Sequence, residues 1–134
     1  MEQIKGTLNR VELIGWVGAE PEQRFTSAGA AVCNFSIATK RFGGRNDAGE
    51  RSVETDWTPI EAWDKLAETC GRYLHKGRRV RLIGSLHTRS WEDRESGQKR
   101  FKTVVKADEI LFLDARPEQE SESAEVAETE DIPF

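Results

Sequence analysis

Cysteine is scarce: only Cys33 and Cys70 occur in 134 residues. Two distant cysteines make no disulfide framework. Neither has a second Cys or a His beside it at ligand spacing, so neither marks a metal site, and both read as buried, reduced thiols. Long apolar runs are missing as well, which excludes a membrane-spanning helix. Met1-Glu2-Gln3 lacks the basic-then-apolar order of a secretory signal, and a cytoplasmic protein is expected. No phosphate-loop or dinucleotide glycine motif appears, so no nucleotide cofactor is expected. His75 and His87 have no nucleophile at a telling spacing. The acids of the body are dispersed, whereas a metal-dependent nuclease needs a carboxylate cluster and a general base. Catalytic residues, metals and cofactors are therefore expected to be absent.

Basic residues are absent from one end of the chain. All 20 Lys and Arg lie in residues 1–116, with 17 of the 24 acids, for a net charge of +3. Residues 117–134 hold the other seven acids. A mildly basic body suits a polyanionic partner, and the acidic tail calls for a separate role. With 37% hydrophobic and 33% charged residues, the chain is too apolar to be disordered throughout. Its length fits one domain over residues 1–116 plus the tail. From Pro117 the tail is Glu, Gln, Ser, Ala and Thr, with Val126 its lone branched aliphatic before the tip. Such a segment buries too little apolar surface to offset its entropy, and disorder is expected. It closes on Ile132-Pro133-Phe134, large apolar groups that a solubilising tail has no use for.

The body reads mainly as strands. Thr7 to Val17 alternates, with Leu8, Val11, Leu13 and Val17 among polar neighbours. Pro21 to Thr26 is a short extended piece. In Ala31 to Thr39, Cys33, Phe35 and Ile37 share one face and Asn34, Ser36 and Ala38 the other. Gly43, Gly44, Asn46, Asp47 and Gly49 predict a flexible loop. Val53 to Trp63, Val80 to Trp91 and Phe101 to Leu113 are further strands, the last two joined by a polar hairpin loop at Glu92–Gln98. One helix interrupts them. Asp64 is the expected N-cap, Leu66, Ala67, Cys70, Tyr73 and Leu74 form its apolar stripe, and Gly77 is the expected stop. Three strand segments, a helix and two long strands predict an all-β OB-fold: a five-stranded antiparallel barrel with one helix between strands three and four. Gly84 is the expected bend in its strand.

Alternation puts Trp57, Pro59, Glu61 and Trp63 on one strand face. On the next strand, Arg79, Arg81, Ile83, Ser85, His87, Arg89 and Trp91 share a face, provided Gly84 does not flip the register. Val80 and Leu82 already supply the interior, so the tryptophans are expected on a binding face. Trp16 reads as either core or surface. Indoles interleaved with guanidinium groups suit single-stranded nucleic acid, because every unstacked base has a π-face and every nucleotide a phosphate. Arg100 and Lys102, beside these strands, extend the expected backbone path.

Seven segments, in order, carry a resemblance. They are Asn9-Arg10-Val11-Glu12-Leu13-Ile14-Gly15, Phe35-Ser36-Ile37-Ala38-Thr39, Thr55-Asp56-Trp57, Lys65-Leu66-Ala67-Glu68, Tyr73-Leu74-His75-Lys76-Gly77, Leu86-His87-Thr88-Arg89-Ser90-Trp91 and the terminal Asp131-Ile132-Pro133-Phe134. Together they resemble the bacterial single-stranded DNA-binding protein, from about Gly6 to Leu113 and again at the C-terminus. The resemblance implies an OB-fold assembled as a homotetramer that wraps single-stranded DNA in the cytoplasm, associated with the nucleoid. It implies base stacking by Trp57, Trp63 and Trp91.

The family also has a stacking tryptophan after the strand that ends at Ala38-Thr39. Phe42, followed by two glycines, stands near that place as a weaker or shifted platform. Thr58-Pro59 departs from the larger or basic residues usual there, and a proline marks an edge or a bulge. Glu61 stands between two stacking tryptophans, where a free carboxylate would repel phosphate. At the tail, the resemblance implies docking of Glu130, Asp131, Ile132, Pro133 and Phe134 onto replication, recombination and repair proteins. Phe134 would supply apolar burial, and its carboxylate and the neighbouring acids would meet Arg or Lys. The alternative is a specialised or auxiliary OB-fold protein, an RNA-binding or partner-bridging paralogue.

Overall fold

A computed structural model describes residues 3–114. The elements are β1 (Val11–Val17), β2 (Glu22–Phe25), β3 (Ala31–Arg45), β4 (Arg51–Trp63), α1 (Asp64–Tyr73), β5 (Arg79–Glu92) and β6 (Lys99–Phe112). The sheet runs β1-β5-β6-β4-β3-β2, and β1 also pairs with β3 through Trp16↔Ala38 and Val17↔Ile37. That extra pairing closes β1, β5, β6, β4 and β3 into the expected five-stranded barrel, with β2 as an added edge. The helix joins the third and fourth barrel strands. The pairing of β4 with β6, at Ile60↔Val105 and Glu61↔Lys106, is parallel and short. The helix turns the chain back for β5 and the hairpin reverses it again, so β6 meets β4 running the same way. Among the described residues, no helix is long and apolar enough to cross a membrane.

Period-two alternation builds the core. Cys33, Phe35 and Ile37 of β3 meet Ile60 and Ala62 of β4, Val80 and Leu82 of β5, Val105 and Ala107 of β6, and Ala67, Cys70 and Leu74 from the helical segment. Both thiols are buried and free. Asp108 is an extra residue in β6, since Ile83 faces Glu109 while Gly84 faces Ala107. The bulge therefore shifts β6, which turns Ile110 and Phe112 inward, and leaves the alternation of β5 intact. Gly84 lies so close to Lys106 that a Cβ would overlap its carbonyl oxygen. The strand needs glycine there for backbone approach.

Three local expectations are corrected. Gly43 and Gly44 are not loop residues, because β3 runs to Arg45 and the turn covers only Asn46–Glu50. Asn46 Oδ1 accepts from the N–H groups of Ala48 (3.0 Å) and Glu50 (2.9 Å), and this side-chain closure makes a longer loop unnecessary. Asp64 does not cap α1. The cap position is Trp63, which makes no side-chain capping bond, and Asp64 enters the helix with φ +56°. Its charge instead lies in the first turn, where the helix dipole favours an acid. The helix stops at Tyr73, before Gly77, which turns the chain with φ +87°.

Pro59 is neither on an edge strand nor at a bulge: β4 lies between β3 and β6, and Pro59 stands just before the short seam that begins at Ile60. It pairs in register with Ser36, whose carbonyl accepts from Gly18 N–H (3.0 Å) on the opposite side of β3. The Ser36–Pro59 pair thus exchanges no ladder bond, so the missing proline N–H breaks none.

Candidate nucleic-acid interface

The outer face of β4 carries Val53, Thr55, Trp57, Pro59, Glu61 and Trp63. Across β3, Trp57 lies opposite Ala38, Pro59 opposite Ser36 and Glu61 opposite Asn34. The β3 side chains here are short, so the indoles stand above a low floor. Gly18 lowers it further: a Cβ there would overlap Cζ3 of Trp57. Trp57 spreads over that gap and stays 57% exposed.

Beyond the parallel seam, β5 and β6 continue as a hairpin arm. Arg89 faces Lys102 and Trp91 faces Arg100, and the same alternation puts them on the outer side with Ser85 and His87. The arm brings Arg89 back to β4. Arg89 Nε donates to Glu61 Oε2 at 3.0 Å, and its terminal nitrogen donates to Oε1. Trp63 Nε1 donates to the same Oε1 at 3.2 Å, and the Arg89 guanidinium lies 5.8 Å from the Trp63 ring centroid. Glu61 is buried, at 8% exposure. Burial pushes its carboxyl up, but hydrogen bonds from Arg89 and Trp63, with the charges of Arg89 and Lys102, outweigh it and hold the group below the usual glutamate range.

This corrects the reading of Glu61 as a free carboxylate facing phosphate. It is ionised but occupied, and it fixes Arg89 and Trp63 in place. Sequence spacing could not show this, because the partner comes from an arm 28 residues away.

The other expected cations are scattered. Arg81 Nε donates to Glu12 Oε2 at 2.7 Å on the β1–β5 wall, so a β1 carboxylate already neutralises it. Arg79 lies opposite Trp16. Arg100 reaches Asp93 at 3.4 Å near the hairpin turn. Phe42 is exposed on the β3–β4 arm, opposite Val53, with the Arg51 guanidinium 4.3 Å from its ring centroid. Trp63, Arg89 and Lys102 thus gather around Glu61, Trp57 lies further along the same face of β4, Trp91 and Arg100 lie further out on one arm, and Phe42 lies on the other. Glu130, Asp131, Ile132, Pro133 and Phe134 fall outside the described residues.

Trp16 is the aromatic that sequence reading left open. Its neighbours Gly15 and Val17 are buried and it is 42% exposed, facing outward opposite Ala38. The signal was present in β1: with Leu13 and Val17 inward, position 16 must point out. Among the described residues, no three His, Cys, Asp or Glu side chains gather as a metal site would need.

The described face can stack bases and meet phosphates, and comparisons with known proteins bear on the same chemistry. The model of the single-strand binding protein family matches residues 8–113. The single-stranded DNA-binding protein 1 of Chlorobaculum tepidum is 42% identical over 109 residues, covering 81% of this chain and 67% of the relative. The single-stranded DNA-binding protein of Caldanaerobacter subterraneus subsp. tengcongensis is 40% identical over 136 residues, covering 94% and 88%. Among solved structures, the Plasmodium falciparum SSB complex with ssDNA matches with a TM-score of 0.70 at 35% identity, covering 84% of this chain and all of that one. A deletion mutant of the Thermus aquaticus single-stranded DNA binding protein matches with a TM-score of 0.67 at 29% identity, covering 81% of this chain and 52% of that one.

Proposed function

Because the chain belongs to the single-strand binding protein family, we propose that it coats and protects single-stranded DNA without regard to sequence and recruits other proteins through its C-terminal tip. The family is one of DNA-binding proteins, not of enzymes. The observation that carries the reading is the outer face of β4 bearing Trp57 and Trp63, with Arg89 held at Glu61 beside Trp63, Lys102 opposite Arg89 and Trp91 on the adjoining arm. Stacking needs no particular base, and the cations meet a backbone common to all sequences. Residues 1–116 form the DNA-binding unit and residues 117–134 the acidic tail.

Four such barrels assemble as a homotetramer, since one presents too little surface to wrap a long strand. The tip, Glu130 to Phe134, docks on basic pockets of replication, recombination and repair proteins in the cytoplasm, on the nucleoid. The tail carries −7 against a body of +3, so it competes weakly with DNA for the basic face. Deleting 117–134 then strengthens binding to single strands modestly, most at low salt, and abolishes partner recovery.

The test is a titration of intrinsic tryptophan fluorescence with oligo(dT), alongside mass by light scattering and competition with single-stranded RNA. Quenching, a mass near four chains and preference for DNA are expected. Unquenched fluorescence would refute the binding reading, and a stable monomer would refute the assembly. Equal recovery of partners from extract by the full chain and by a chain lacking Phe134 would refute the role of the tip.

A further inference from the structure

Trp57 does not stand alone on its row. Ala38 of β3 is paired with Trp57 on one side and with Trp16 of β1 on the other. It is only 6% exposed beneath them. Adjacent strands lie about 4.8 Å apart, so the two indoles are rooted about 10 Å apart. The methyl of Ala38 and the bare Gly18 leave nothing tall between them. Cations flank the second indole. Lys40 Nζ lies 5.7 Å from the Trp16 ring centroid, and Arg79 is its register partner on β5.

We propose that Trp16 is a further base-stacking platform, reached by a strand that continues from Trp57 across β3 onto β1. The proposal rests on the single-strand-binding reading and extends its path. A half-exposed indole on the outer wall leaves much of its apolar area uncovered by its own barrel. A base laid against it covers the remaining apolar area and uses its π-face. Lys40 is a long, exposed side chain. It can leave the ring for the phosphate that accompanies the stacked base, so stacking surface and neutralising charge arrive together. The path then uses four strands, β4, β3, β1 and β5, along the row Trp57, Ala38, Trp16 and Arg79.

The test uses the full chain in its native assembly. One variant keeps Trp16 as the sole indole through Trp57→Phe, Trp63→Phe and Trp91→Phe. Oligo(dT) is expected to quench its emission. Trp16→Ala is expected to weaken oligo(dT) binding about 5- to 150-fold, the range typical of stacking aromatics in single-strand binders. Trp16→Phe, which keeps a ring, is expected to retain most of the affinity. Normal binding by Trp16→Ala, with Trp57→Ala impaired, would overturn the proposal and leave the DNA-binding reading intact. Equal loss in the Phe and Ala variants would place Trp16 in packing and overturn it too. Emission that responds to protein dilution and not to DNA would mean that a second copy covers the residue, which also overturns it. No oligo(dT) binding by the unmodified chain would overturn both readings together.

Discussion

Replacing Glu61 by glutamine should make the protein less stable and its DNA binding more salt-sensitive. The carboxylate accepts two bonds from Arg89 and one from Trp63 while 8% exposed. Glutamine keeps the shape and one acceptor oxygen, but it turns an NH2 group towards the donors that the second oxygen received. Breaking a fully buried ion pair costs about 3–5 kcal/mol. The Arg89 side chain is 47% exposed, so water can resolvate it. The expected loss is therefore smaller, about 1–2 kcal/mol. That lowers Tm by about 4–8 °C per kcal/mol in a domain of this size, at matched protein concentration.

The pH dependence has a definite sign. A depressed carboxyl contributes stability above its unfolded value, near 4.5, and loses it as pH falls through the lower folded value. The gap between wild type and Glu61→Gln should be full at pH 7 and close below pH 4.5. On the DNA side, Arg89 without its counter-charge neutralises about one more phosphate, steepening the log–log salt slope by about 0.7. Melts across pH, with oligo(dT) titrations at several salt concentrations, measure both effects. Equal Tm and equal slope at pH 7 would mean that the pair does not form in solution.

Other outcomes follow from the same geometry. Trp57→Ala, Trp63→Ala and Trp91→Ala should each cost about 1–3 kcal/mol of oligo(dT) affinity, a magnitude typical of single-strand binders, this family among them; three normal affinities would remove the stacking role. Gly18→Ala should lower Tm only slightly, because the added methyl meets two side chains that can give way, the exposed ring of Trp57 and the Ser36 hydroxyl, but it should weaken oligo(dT) binding by displacing that ring; unaltered affinity would show that Trp57 does not use this seat. Gly84→Ala should lower Tm sharply, since its Cβ meets the backbone carbonyl of Lys106, and a melt matching wild type would refute the close approach. Cys33 and Cys70, both fully buried, should resist a thiol reagent at pH 8 until the protein is unfolded, and labelling of the native protein would contradict that burial.

Much of the barrel could be read from alternation alone. Cys33, Phe35 and Ile37 repeat every second residue, and a strand has only two faces, so the inward set follows from one-dimensional order. The same rule puts Trp57 and Trp63 outside, and Trp16 with them, since Leu13 and Val17 of β1 point inward. Turn chemistry was less legible, because Asn46 closes a tight turn with its side chain and lets two glycines remain in the strand. The ionic partners could not be read at all. Glu61 meets Arg89, and Glu12 meets Arg81, only because barrel closure brings distant strands together, and period-two order says nothing of which strand lies beside which. The sequence by itself therefore determined the fold class, the family and the outward aromatics. The tertiary structure alone decided which charges are already spoken for, and that Trp16, Ala38 and Trp57 share one row, since both depend on register across β1, β3, β4 and the β5–β6 arm.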